Sequence, residues 1–163
     1  MKKNILDKTL ATLKLERMAL EIAERNTDAT HIVLAGIRES GSVIAAKLLP
    51  LLQNTFDGRL SVVKVSLDKK NPDDVVIDTD LDFNDKVVII VDDVANSGKT
   101  MTYALKPFLV YHPQKIQTLV LVERTHKTFP ISADYVGLSV ATTLQEHIFV
   151  ESANDEIMGA YLQ

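Results

Sequence analysis

A chain of 163 residues with 46% hydrophobic content is long enough to bury a sizeable core and suggests a single domain over 1–163. Its 18 Lys and Arg against 22 Asp and Glu leave a net charge of −4, which argues against a dedicated nucleic-acid binder, whose affinity comes mostly from neutralising phosphates. Cysteine is absent, excluding disulfides and thiolate-held metals.

The amino-terminal lysines are followed by no apolar h-region, and no apolar run reaches the ~20 residues of a membrane helix. No signal peptide or membrane attachment is expected, and the setting inferred is cytoplasmic. Ile5 to Arg25 carries Leu6, Leu10, Leu13, Met18 and Ile22 at helical spacing, which predicts an amphipathic helix. Asn26 to Thr30 is a polar break. His31 to Ala35 reads as a short apolar strand, followed by a loop, "GIRESG". Ser42 to Leu52 reads as a helix interrupted near Pro50, and Leu60 to Leu67 as a strand.

Asp68 to Asp85 stands apart in composition, with seven aspartates, Pro72 and the adjacent Lys69 and Lys70. It reads as a solvated loop or hairpin, with a short strand at Val75 to Ile77, of a length that often makes a lid. Val87 to Val91 is five β-branched residues in a row, the pattern of a buried parallel strand. A loop and a helix over about Lys99 to Tyr111 follow. Further strands are expected at Ile116 to Val122, Val136 to Val140 and Ile148 to Val150. Alternating strands and helices predict an α/β fold around a mostly parallel sheet, with ligands at the carboxyl ends of the strands.

Two stretches lie at such ends. In "VVIIVDDVANSGKT" the Gly98-Lys99-Thr100 tail matches an ATP-binding P-loop, but the first glycine of that motif would fall on Asp93. A carboxylate there would face phosphate oxygens, so the triphosphatase reading fails. Backbone N–H groups at a helix start, with the Ser97 and Thr100 hydroxyls, still suit a phosphate dianion, and Gly98 permits close approach. Asp92 and Asp93 must then face donors, either sugar hydroxyls or the water shell of Mg²⁺. The stretch asks for a phosphate beside vicinal hydroxyls, as in a ribose 5-phosphate. The four histidines, His31, His112, His126 and His147, show no metal-ligand spacing.

"VIIVDDVANSGKT", Val88 to Thr100, closely resembles the phosphoribosyl pyrophosphate (PRPP) motif of type I phosphoribosyltransferases. The resemblance implies that Asp92 and Asp93 bind the ribose and order Mg²⁺, and that Ala95, Asn96, Ser97, Gly98, Lys99 and Thr100 hold the 5-phosphate. "AGIRESG" resembles the family's pyrophosphate loop, which assigns Gly36, Ile37, Arg38, Glu39, Ser40 and Gly41 to diphosphate, with Arg38 the cation. The ends of the chain, Ile5 to Asn26 and Leu121 to Val150 with "PISADYVG", resemble the PyrR group of pyrimidine-operon regulators and uracil phosphoribosyltransferases.

What this implies is a type I phosphoribosyltransferase fold with a flexible loop and small hood. The implied reaction moves ribose 5-phosphate from PRPP to a base, uracil first, in a homodimer or homotetramer. Glu39-Ser40 replaces a Thr-Arg pair usual in the group, which should weaken diphosphate binding. The acidic loop lacks the group's arginine and leaves Lys69 and Lys70 as candidates to close the site. A regulator that senses a nucleoside monophosphate without turnover is the alternative, with RNA a less favoured partner. Asn96 stands where hypoxanthine-type enzymes have an aspartate, and an amide cannot exchange a proton near neutral pH. Arg124 and His126 are the base-side candidates, and Tyr135 is expected in the core.

Overall fold

The computed structural model describes residues 1–68 and 70–163. The strands and helices run β1 (Lys3–Asp7), α1 (Lys8–Arg25), β2 (His31–Ile37), α2 (Arg38–Gln53), β3 (Arg59–Ser66) and β4 (Val76–Ile77). They continue as β5 (Val87–Ala95), α3 (Lys99–Ala104), β6 (Lys115–Arg124), β7 (Tyr135–Val140), β8 (Ile148–Ala153) and β9 (Glu156–Leu162), with a 3-10 turn at Lys106–Phe108 after α3. Six strands form the main sheet in the order β4-β3-β2-β5-β6-β7. All its pairings are parallel except that of β4 to β3. The other three make a small antiparallel sheet, β1-β9-β8.

The sheet grows in one direction from β2 to β3 and in the other from β5 to β7, so the strand order reverses between β2 and β5. A crevice opens at such a reversal, beyond the carboxyl ends of the two strands. β2 leads directly into Arg38, and β5 carries Asp92 and Asp93.

One core fills each face of the main sheet. On one, Leu15, Met18 and Ile22 of α1 and Ile44, Leu48 and Leu52 of α2 pack on Ile32, Leu34, Ile89 and Val91, and the small sheet adds Leu6, Ile157 and Leu162. On the other, Met101, Ala104, Phe108 and Phe83 pack on Val33, Val88 and Ile90. Phe83 meets Phe108 edge to face at 4.9 Å. Strands β2 and β5 are covered on both sides, which explains their unbroken apolar runs.

Several expected boundaries move. The first helix begins at Lys8 rather than Ile5, because Asp7 ends β1 and caps α1, its Oδ1 accepting from the Leu10 N–H at 2.7 Å. Its buried stripe is Ala11, Leu15, Met18, Ala19 and Ile22; Leu10 and Leu13 face outward. The second helix is continuous from Arg38 to Gln53 with Pro50 inside it. Proline there removes one bond, to the Ala46 carbonyl, in the final turn. The expected 99–111 helix is six residues and a 3-10 turn. β5 runs four residues past Val91, and β9 has no counterpart in the expected elements.

Candidate active site at the strand-order reversal

The stretch expected to be a loop, 36–41, is instead the end of β2 and the first turn of α2. Arg38 turns the chain between them with φ of 52°, the left-handed region that costs a non-glycine residue energy. Ile37 occupies the N-cap without a side-chain cap bond. The first N–H groups of a 16-residue helix therefore lack a side-chain cap where the crevice begins. Gly36 and Gly41 serve packing. A Cβ on Gly36 would come 2.6 Å from the Ser42 Cα, and one on Gly41 would come 2.5 Å from the Val91 carbonyl oxygen. Gly41 thus lets α2 settle against the end of β5.

Two cavities meet here. A cleft of about 850 Å³ is lined by Arg38, Glu39 and Ser40, by Lys64 and Asp68 from the β3 side, by Asp74, and by Asp92. A small pocket of about 70 Å³ is formed by Asp92 and 94–101. Asp92 is in both linings and is 1% exposed. It is thus the wall between a large cleft and a pocket of phosphate size.

Asp92 and Asp93 sit in a strand, where successive side chains point to opposite faces. Asp92 shares the face of Val88 and Ile90; Asp93 lies half-buried on the other and lines neither cavity. Each carboxylate accepts from the next backbone N–H: Asp93 N–H to Asp92 Oδ1 at 2.9 Å, and Val94 N–H to Asp93 Oδ1 at 2.8 Å. These bonds fix both side chains.

In the small pocket Gly98 is left-handed, φ 86°, and begins α3. A Cβ there would find ordinary contacts, 3.4 Å at closest, so the backbone angle rather than crowding calls for glycine. Ser97 is held from outside: its carbonyl accepts from the Thr128 and Phe129 N–H groups, both at 3.0 Å. The Ser97 hydroxyl accepts from the Lys99 N–H at 3.3 Å. Because α3 has only six residues, its dipole is small, and converging loop donors matter more.

The remaining sequence candidates lie elsewhere. Arg124 donates to the Thr142 hydroxyl and the Thr143 carbonyl, both at 2.6 Å, and His126 Nε2 lies 2.9 Å from the Thr142 carbonyl. Both tie the 141–147 segment to β6, and neither lines the two cavities. Lys70 is exposed, its N–H bound to Asp68 Oδ1 at 2.9 Å. Lys69 lies outside the described residues. Tyr135 is in the core, its hydroxyl donating to Gln117 at 2.9 Å, and burial pushes its phenol up from the ordinary value. Among the described residues no three His, Asp or Glu side chains gather as a metal site.

Sequence reasoning misses Lys64. It stands beside Gly36 in the β2–β3 register, and its Nζ reaches Glu39 Oε1 at 2.6 Å across the cleft mouth. The nearby ammonium holds the Glu39 carboxyl below its usual range. The available signal was the alternation of β3, which puts Lys64 on the face of Leu60, the α2 side.

A profile of the phosphoribosyl transferase domain matches residues 1–155. The chain is 35% identical over 159 residues to a "Bifunctional protein PyrR" of Clostridioides difficile (strain 630), covering 91% of this chain and 90% of the relative. It is 37% identical over 156 residues to a protein of the same name from Streptococcus pneumoniae (strain CGSP14), covering 91% and 89%. Among solved structures, the hypoxanthine phosphoribosyltransferase of Trypanosoma cruzi superposes with a TM-score of 0.80 at 18% identity, over 98% of this chain and 95% of that one. A hypoxanthine-guanine phosphoribosyltransferase from Bacillus anthracis gives 0.70 at 22%, over 85% and 82%. At those identities the structures establish the fold, and the sequence matches establish descent. The chain belongs to the phosphoribosyl transferase family and is a PyrR-like member of it, with the type I α/β fold.

Proposed function

We propose that this chain, acting as one domain in the cytoplasm, transfers ribose 5-phosphate from PRPP to uracil and releases pyrophosphate. The observation that carries the reading is Asp92, a buried carboxylate shared by a 70 Å³ pocket and an 850 Å³ cleft. PRPP has the matching outline: a monophosphate, a ribose with two free hydroxyls, and a diphosphate. The 5-phosphate sits in the pocket of 95–100, on loop N–H groups and the Ser97 and Thr100 hydroxyls. The ribose hydroxyls donate to Asp92, and Asp93 steadies the end of β5 by accepting from the Val94 N–H. The diphosphate lies in the cleft against Arg38 and the uncapped start of α2.

In the reaction the base nitrogen attacks C1′ as the C1′–O bond to diphosphate breaks, and positive charge builds on the ring. Asp92 lies on the ribose side, where a carboxylate stabilises that charge. The diphosphate leaves with both electrons of the broken bond, and the proton of the attacking nitrogen passes to solvent water. Asp92 and the acidic lining around it fit Mg²⁺, which takes one or two carboxylates and keeps waters and phosphate oxygens as its other ligands. When bound, the ion would neutralise charge on the diphosphate. Asn96, an amide, offers no proton transfer to a purine nitrogen, which favours a pyrimidine. The choice of uracil rests on the PyrR relatives.

A pyrophosphate-release assay with PRPP, Mg²⁺ and a panel of bases tests the proposal. Turnover with uracil and none with hypoxanthine or guanine is expected. Turnover confined to purines would overturn the acceptor. A second reading, a sensor that binds a nucleoside monophosphate without turnover, draws on Glu39, a carboxylate placed in the diphosphate cleft. Tight binding of uridine monophosphate with no pyrophosphate release from any base would select it.

A further inference from the structure

We propose that Lys64 is a diphosphate-binding residue, parked on Glu39 and transferred to the ligand when PRPP enters. The inference rests on the reading of the cleft as the diphosphate site. Among the described residues the cleft is lined by two cations, Arg38 and Lys64, and by four carboxylates, Glu39, Asp68, Asp74 and Asp92. A diphosphate is strongly anionic, and one arginine against four acids cannot hold it by charge. Lys64 is the second cation at that wall.

Its surroundings suit a pivoting side chain on a fixed base. The Lys64 N–H donates to Asp78 Oδ1 at 2.7 Å, and its carbonyl accepts from the Asp78 N–H at 3.2 Å. The backbone is thereby clamped where β4 joins β3. The side chain is 39% exposed, and its partner Glu39 is 87% exposed. An ion pair that open is weakly held. Glu39 does not need it, since a carboxylate in the first turn of α2 is already favoured by the helix dipole. A diphosphate offers Lys64 several charged oxygens in place of one carboxylate. Glu39 therefore acts as a holder that keeps the ammonium at the cleft mouth and competes with the ligand for it.

Isothermal titration of PRPP, inorganic pyrophosphate and uridine monophosphate, all with Mg²⁺, tests this on wild type, Lys64→Met, Lys64→Arg and Glu39→Gln. Lys64→Met should weaken PRPP and pyrophosphate by roughly ten-fold and leave the monophosphate within about two-fold. Lys64→Arg should restore most of the loss. Glu39→Gln should tighten PRPP and pyrophosphate by roughly three-fold, because the competing carboxylate is gone. Equal binding of PRPP by wild type and Lys64→Met overturns the inference and leaves the proposed function standing. An equal loss for all three ligands makes Lys64 structural and also overturns it. If Lys64→Met does not fold, the sign of the Glu39→Gln effect decides, and no tightening overturns it. Wild type that binds neither PRPP nor pyrophosphate overturns both the inference and the function.

Discussion

The two cavities are built in opposite ways. The small pocket comes from one continuous run, Asp92 to Met101, and every lining residue belongs to it. The cleft draws on the start of α2, the end of β3, the segment beyond it and the end of β5. A run of ten residues carries its own geometry, since strand, left-handed glycine and helix start follow in order. A cleft assembled from four places can exchange one wall while the others stay. Here Glu39-Ser40 stands in the first turn of α2, and a cation arrives from the neighbouring strand. The pocket should thus be intolerant of change, and the cleft adjustable.

The sharpest way to break this contrast is at the shared wall. Asp92→Asn keeps the oxygen that accepts from Asp93 but removes the charge facing both cavities. It should lower kcat/KM for PRPP by roughly a hundred-fold or more, with little change in Tm. Asp93→Asn should cost less, since that side chain lines neither cavity. The reverse order, read by steady-state kinetics, would mean that the ribose sits on the other face of β5.

Gly98→Ala tests the pocket alone. Holding alanine at φ 86° costs about 1–2 kcal/mol. PRPP and uridine monophosphate should weaken together, by roughly ten-fold, in the same titration; this is the opposite signature to Lys64→Met. If only PRPP weakens, the 5-phosphate does not lie on that loop.

The smallest expected effect is one of pH. Lys64 lowers the Glu39 carboxyl, so Glu39 stays charged down to a pH below its ordinary 4.5 and protonates only beneath that. Its competition for Lys64 is therefore constant from about pH 5.5 to 8. The ratio of PRPP affinities, Glu39→Gln over wild type, should be flat across that range. A ratio that falls towards one as pH drops from 7 to 5.5 would mean that Glu39 itself takes up a proton there, and that Lys64 does not hold its carboxyl low.

Much of this was readable from residue order. Val87 to Val91 announced a buried central strand, and Gly98 a special backbone position, though its left-handed φ rather than close approach is what requires glycine. The two acids beside them marked the strand end where the two cavities meet. What could not be read depends on distant partners. Ile5 and Leu6 fit a helical period, yet Asn4 and Leu6 pair with Tyr161 and Ala160, so tertiary pairing took them into β1. "GIRESG" has loop composition, but it divides between the end of β2 and the first turn of α2, where Gly41 packs closely on Val91. Arg124 and His126 carry no local sign that a carbonyl and a hydroxyl from 142–143 occupy them. Lys64 is an ordinary strand lysine until β3 is laid beside β2.

The small sheet joins the two extremities of the molecule: Lys3 lies opposite Leu162, and Asp7 opposite Gly159. A ribosome adding about 5–20 residues per second makes β1 roughly eight to thirty seconds before its partner β9 exists. Through that interval Leu6 has no strand to cover it, and the nascent polypeptide presents an open edge to its neighbours. Covering Leu6 thus waits for its pairing with Ala160, a contact across most of the sequence, made after every strand of the main sheet has been synthesised.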